Sequence, residues 1–183
     1  MNPQVDQHSF GVTYAERPLL FHNLKGEKFE EIGLKAGAPL ARRYVARGAA
    51  TADFLNNGTE DLLISVLDGS PVLLRNQTRP RGHWLRVKTV GTRSNRDGFG
   101  ARVEVKAGGL TQSAEVRANS SFESASDPRL HFGLGTATRV DSIVIHWPSG
   151  KVDSLGPEAA DQELLVEEGR GVTARHGRSA RTD

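Results

Sequence analysis

Ile143-Val144-Ile145-His146-Trp147-Pro148-Ser149-Gly150 decides the fold class. Its apolar residues alternate, so Ile143, Ile145 and Trp147 share one face of a strand. Pro148 and Gly150 then stand at the second and fourth positions of a type I turn, and the chain returns through Val152 to Leu155 as the second arm of a hairpin. Val103-Glu104-Val105-Lys106 repeats the pattern one hairpin earlier. There Gly108-Gly109 supplies the positive φ of a tight turn, and the returning strand runs from Thr111 to Arg117. Leu85 to Lys88, Arg129 to Phe132 and Glu163 to Glu167 bring the set to about six short strands between residues 83 and 169, a spacing that predicts an all-β fold. The best helical stretch, Ala36 to Val45, is interrupted by Pro39.

Upstream, Pro18-Leu19-Leu20-Phe21-His22-Asn23 and Pro71-Val72-Leu73-Leu74-Arg75-Asn76 repeat a strand-then-Asn pattern 53 residues apart. A period near fifty suggests propeller blades. Between them, Gly48 to Ile64 reads as strand, polar loop and strand. Gln77 to Gly82 brings proline, glycine and charge, and marks the boundary to a second unit.

Composition narrows the function classes. The chain has 183 residues, 37% of them hydrophobic, and no cysteine, so disulfides, thiolate metal sites and a cysteine nucleophile are excluded. No apolar run reaches the roughly 20 residues of a membrane span, and the first thirty residues do not read as a signal peptide. The net charge of +2 comes from Arg170, Arg175, Arg178 and Arg181 near the C-terminus. The rest of the chain is close to neutral, which argues against nucleic acid as a partner. Residues 170–183, polar and aperiodic, read as a disordered basic tail.

Three motifs in order carry a family resemblance: Gly91-Thr92-Arg93-Ser94-Asn95-Arg96-Asp97-Gly98-Phe99-Gly100-Ala101-Arg102-Val103, Leu130-His131-Phe132-Gly133-Leu134-Gly135 and Trp147-Pro148-Ser149-Gly150. Together they resemble the ASPIC/UnbV domain of the cartilage acidic protein family and its bacterial relatives. Residues 40 to 76 resemble an FG-GAP or VCBS repeat of integrin-like propellers. The resemblance implies an incomplete propeller repeat over residues 1–81, a β-sandwich-like UnbV domain over 82–169, and an extracellular or periplasmic setting. It implies a non-enzymatic binding or adhesion module whose partner is a protein, a glycan or another blade-bearing chain. A role in enediyne-type natural-product biosynthesis is the alternative. One repeat leaves strand edges open, so the chain is expected to be part of a longer protein or to need a partner chain.

FG-GAP repeats resemble a calcium hairpin of the form D-x-D-x-D-G-x-x-D. In Asp53-Phe54-Leu55-Asn56-Asn57-Gly58-Thr59-Glu60-Asp61, the residues Asp53, Gly58 and Asp61 match, Asn57 keeps an oxygen, and Leu55 cannot coordinate. The loop is therefore either an Asx-type turn or a weak calcium site at Asp53, Asn57 and Asp61; no other cofactor is implied. In the second unit, Arg93 and Arg96 could grip a carboxylate or phosphate of a ligand, with Asn95 and Asp97 beside them. Alternatively Asn95 and Asp97 hydrogen-bond the loop backbone. Gly98-Phe99-Gly100 runs into a strand, so it is no phosphate-cradling loop, which must open a helix. No Gly-x-Ser-x-Gly elbow is present, and no catalytic set stands out. His131 and His146 lie on the strand face opposite the apolar residues and read as solvent-facing or edge residues, whereas Trp84 and Trp147 read as packing residues.

Overall fold

The computed structural model describes residues 13–24, 26–79, 82–119, 121 and 123–177. Strands β1 (Phe21–Leu24) and β2 (Lys28–Glu31) form a hairpin, followed by a single helical turn, α1 (Gly33–Ala36), and a 3-10 turn at Ala38–Ala41 where Pro39 ends the helical run. Strands β3 (Ala46–Ala52), β4 (Asp61–Val66) and β5 (Val72–Leu74) make a three-stranded antiparallel sheet. The remainder is β6 (His83–Val90), β7 (Arg102–Ala107), β8 (Leu110–Glu115), β9 (Leu130–Gly135), β10 (Arg139–Val140), β11 (Ser142–His146), β12 (Val152–Leu155), β13 (Glu158–Ala159), β14 (Gln162–Glu167) and β15 (Gly171–Gly177). The protein is all-β. Among the described residues the strands close no propeller, and the two upstream segments with the repeated pattern lie in different sheets, β1 with β2 and β5 with β4.

The downstream strands form two four-stranded sheets, ordered β12-β11-β7-β8 and β15-β14-β6-β9. Their alternating residues meet in one core: Val103, Val105, Ile143 and Ile145 from the first sheet, and Leu85, Val87, Phe132, Leu164 and Val166 from the second. Eight of these nine are fully buried and Trp147 is 4% exposed, so the period-two reading places the inner faces correctly. The β7–β8 turn has Gly108 at φ +55° and Gly109 at φ +80°, the pair of positive φ values that matches hairpin twist. At the other hairpin the Gly150 N–H donates to the Trp147 carbonyl at 2.9 Å. Strand β6 runs parallel to β14 and antiparallel to β9, so it is hydrogen-bonded on both edges.

One expectation is corrected here. Residues 171–177 are not a disordered tail; they pair antiparallel with β14 as β15. The ladder satisfies their backbone groups, Val172 packs against the core, and Arg175 holds Glu158 through two bonds of 3.0 and 2.6 Å. These are tertiary gains that an aperiodic sequence does not announce. Residues 178–183 lie outside the described residues. The outer edge of β3 is covered: the Ala49 and Thr51 N–H groups donate to the hydroxyls of Ser124 and Ser126, and the Asp127 N–H donates to the Thr51 carbonyl. The β8–β9 connection thus reaches back and covers that edge.

Candidate functional site

Loop 53–61 follows β3 and is held by its own side chains. Asp53, 1% exposed, accepts the Asn57 N–H on Oδ1 at 2.9 Å and the Gly58 N–H on Oδ2 at 2.6 Å. Asn57 Oδ1 accepts the N–H and hydroxyl of Thr59, and Asp61 Oδ1 accepts the Asn76 N–H at 2.8 Å. The Asx-turn reading therefore describes the local geometry. Among the described residues no group of three or more His, Asp and Glu side chains is placed to hold a metal ion. Gly58 has φ +85°, and a Cβ there would come within 2.0 Å of Trp84 Nε1. The loop therefore lies directly on the outer face of β6.

Strand alternation puts Trp84 and Arg86 on that outer face while Leu85 and Val87 enter the core. Arg86 is 3% exposed, and its three nitrogens serve three acceptors: Nη1 reaches Asp53 Oδ2 at 3.0 Å, Nη2 reaches Asn56 Oδ1 at 2.9 Å, and Nε reaches Glu163 Oε2 at 2.7 Å. Its guanidinium carbon also sits 5.5 Å from the centre of the Trp84 ring, inside cation–π range. Arg129 extends the cluster by donating to Asn56, Glu163 and Asp127. His131 stacks on Trp84 with ring centres 6.0 Å apart, and its side chain is only 20% exposed. It stands on the edge strand β9, one of the two placements the sequence suggested, and is not solvent-facing, because the loop and Glu60 cover the face on which it stands. Burial, reinforced by the Arg86 charge, holds its pKa below the usual histidine range. Burial also pushes Glu60 upward, with Asp127 and Asp53 adding to the shift.

The second polar cluster, residues 91–98, wraps around a residue that the sequence reading passed over. Glu168 is 2% exposed. Its Oε2 accepts the N–H groups of Thr92, Arg93 and Ser94 at 2.8–2.9 Å, and its Oε1 accepts the hydroxyls of Ser94 and Ser149. Desolvation alone would raise its pKa, but the Ser149 hydroxyl and the three backbone donors outweigh it and hold the carboxyl at about 2. Arg93 thus contributes its backbone N–H, and both Arg93 and Arg96 are exposed. The Asn95 side chain donates to the Phe99 carbonyl and accepts the Phe99 N–H, while Asp97 accepts the Thr89 hydroxyl on its carbonyl. The loop is shaped around an internal carboxylate. Sequence held one hint of each buried charge: Arg86 interrupts an apolar strand beside a tryptophan, and Glu168 ends one.

A polar groove of about 470 Å³ lies between the edge strands β12 and β15, lined by Asp153, Ser154, Glu158, Arg170 and Arg175 among others. Both arginines are paired there, Arg175 with Glu158 and Arg170 with Glu167.

The Gly91 loop, the Phe132 strand and the Trp147 turn are thus neighbours in one two-layered unit. Residues 91–173 match the family described as ASPIC and UnbV. The ASPIC/UnbV match begins one residue after β6, yet β6 supplies Leu85 and Val87 to the same core and carries Arg86 on its other face. No curated protein matches the chain. Among the described residues no helix is long and apolar enough to cross a membrane.

Proposed function

We propose that the chain is a non-enzymatic binding module in which residues 13–79 dock on another blade-bearing chain while the ASPIC/UnbV unit provides the rigid support. One observation carries this reading. Of the eleven exposed large hydrophobics among the described residues, nine lie between Leu19 and Leu73, where Leu40 and Ile64 are the only buried hydrophobics in that stretch. Phe21 and Phe29 are 53% and 66% exposed, and the β1–β2 register puts them on one face of the hairpin. An apolar concentration of this kind marks an interaction surface. A strand-bearing partner suits it because, among the described residues, β5 is paired only with β4 and presents a free edge.

The test is size-exclusion chromatography with light scattering on the intact chain, alongside a Phe21→Ser/Phe29→Ser/Leu73→Ser variant. The expected result is concentration-dependent association that the triple variant abolishes with unchanged strand content. A monodisperse monomer whose two halves exchange amide hydrogens equally slowly would overturn the reading. Saturable turnover of a metabolite would instead favour the biosynthetic alternative.

A further inference from the structure

We infer that the guanidinium of Arg86 is the resident cation of loop 53–61, so that the loop is docked on the ASPIC/UnbV unit without metal. The inference concerns the joint between the two parts and stands whether or not residues 13–79 bind a partner chain.

Calcium needs six to eight oxygens around one point. Loop 53–61 has its oxygens turned elsewhere. Asp53 is saturated by two loop N–H groups and Arg86, Asn57 Oδ1 is taken up by Thr59, and Asp61 Oδ1 is turned to the Asn76 N–H. Leu55, at the third position of the motif, is 41% exposed. Asp61 Oδ2 is buried with no hydrogen-bond partner, but a single oxygen falls far short of a calcium shell. The donor set therefore does not fit the ion.

Arg86 fits where calcium does not. Guanidinium stays charged when buried and offers a planar fork of donors. Here the fork spans both parts of the chain, with Asp53 and Asn56 on the loop and Glu163 on β14. The Arg86 and Asp53 side chains are 3% and 0% exposed, so the pair lies out of water, where a second cation beside the guanidinium would be strongly repelled. Arg86 thus supplies from within a monovalent counter-charge to Asp53, in a hairpin that carries half the usual carboxylates. Arg86 acts as a positioning residue for the loop.

The test uses the full chain, with calcium chloride as the probe, in calorimetry and thermal melts. Wild type is expected to bind no tighter than ~10⁻³ M, the weak end of extracellular sites, and to melt at the same temperature in calcium and in chelator. Leu55→Asp/Asn57→Asp, which restores two carboxylates, should bind no better while Arg86 is present. Adding Arg86→Met should then tighten calcium binding at least tenfold and make the melting temperature calcium-dependent. Should the triple variant not fold without metal, recovery of its strand signal on adding calcium serves as the same readout. Sub-millimolar binding by wild type or by the double variant would overturn the inference. So would a triple variant that neither binds nor refolds with calcium.

Discussion

The buried Glu168 and the half-buried Glu60 are two carboxylates with opposite consequences. The folded-state pKa of Glu168, about 2, lies below the ordinary 4.5. Its contribution is therefore complete above the unfolded value and is lost as pH falls from about 4.5 toward 2. Glu168→Ala leaves three backbone N–H groups without their acceptor, and we expect a loss on the order of 3 kcal/mol, read by urea denaturation at pH 7. The difference between variant and wild type should shrink at pH 2–3; a difference that persists there would show that the carboxylate charge is not what holds the loop. Glu60 behaves in reverse. Its pKa is raised by burial, so the folded state favours its neutral form, and that preference is lost as pH rises through the folded value. Glu60→Gln should stabilise the protein at pH 7, by less than ~1 kcal/mol given its partial exposure, and should have no effect near pH 4. A destabilised Glu60→Gln at neutral pH would contradict this assignment.

At the scale of elements, two strands owe their place to contacts made by distant segments. The outer edge of β3 is covered by hydroxyls from the β8–β9 connection, a device that blunts an otherwise pairable edge. Ser124→Ala/Ser126→Ala should speed amide exchange at Ala49 and Thr51 selectively and leave β7 and β11 unchanged, as read by hydrogen-exchange mass spectrometry. Uniform acceleration would mean that the serines support the whole fold and not that edge. Strand β15 covers one edge of β14, and its Val172 packs on the core. Ending the chain at Gly169 should therefore lower the melting temperature by several degrees, because a lost backbone ladder and Val172 together are worth a few kcal/mol. An unchanged melting temperature would restore the tail reading for these residues.

Across the whole molecule, stability is distributed unevenly. The two-layered unit holds fifteen buried hydrophobics in one cluster, whereas the described residues upstream of β6 include as buried hydrophobics Leu40 and Ile64. Local opening follows contact density. The slowest-exchanging amides should lie in β6, β7, β11 and β14, and those of the β1–β2 hairpin should exchange fastest. Ile145→Ala should cost about 3 kcal/mol and unfold the downstream unit, measured by denaturant melts. Slow exchange in β1 equal to that of β11 would show that the upstream part has a core of its own.

Sequence by itself determined the all-β class, the β7–β8 and β11–β12 hairpins, and which residues of β7 and β11 enter the core. These follow from alternation and from turn residues, Gly108, Gly109 and Gly150, all of which act within a few positions along the chain. Alternation also put His131 on the second face of its strand, but it could not say what covers that face. Only the tertiary structure decided that loop 53–61 does, that Arg86 faces Asp53 across 33 residues and Glu163 across 77, and that Glu168 fills the loop 74 to 76 residues before it. The physical reason is range. Backbone conformation responds to neighbours in the chain, whereas a buried charge is stabilised by whichever opposite charge or hydrogen-bond donor the completed fold brings within about 3 Å.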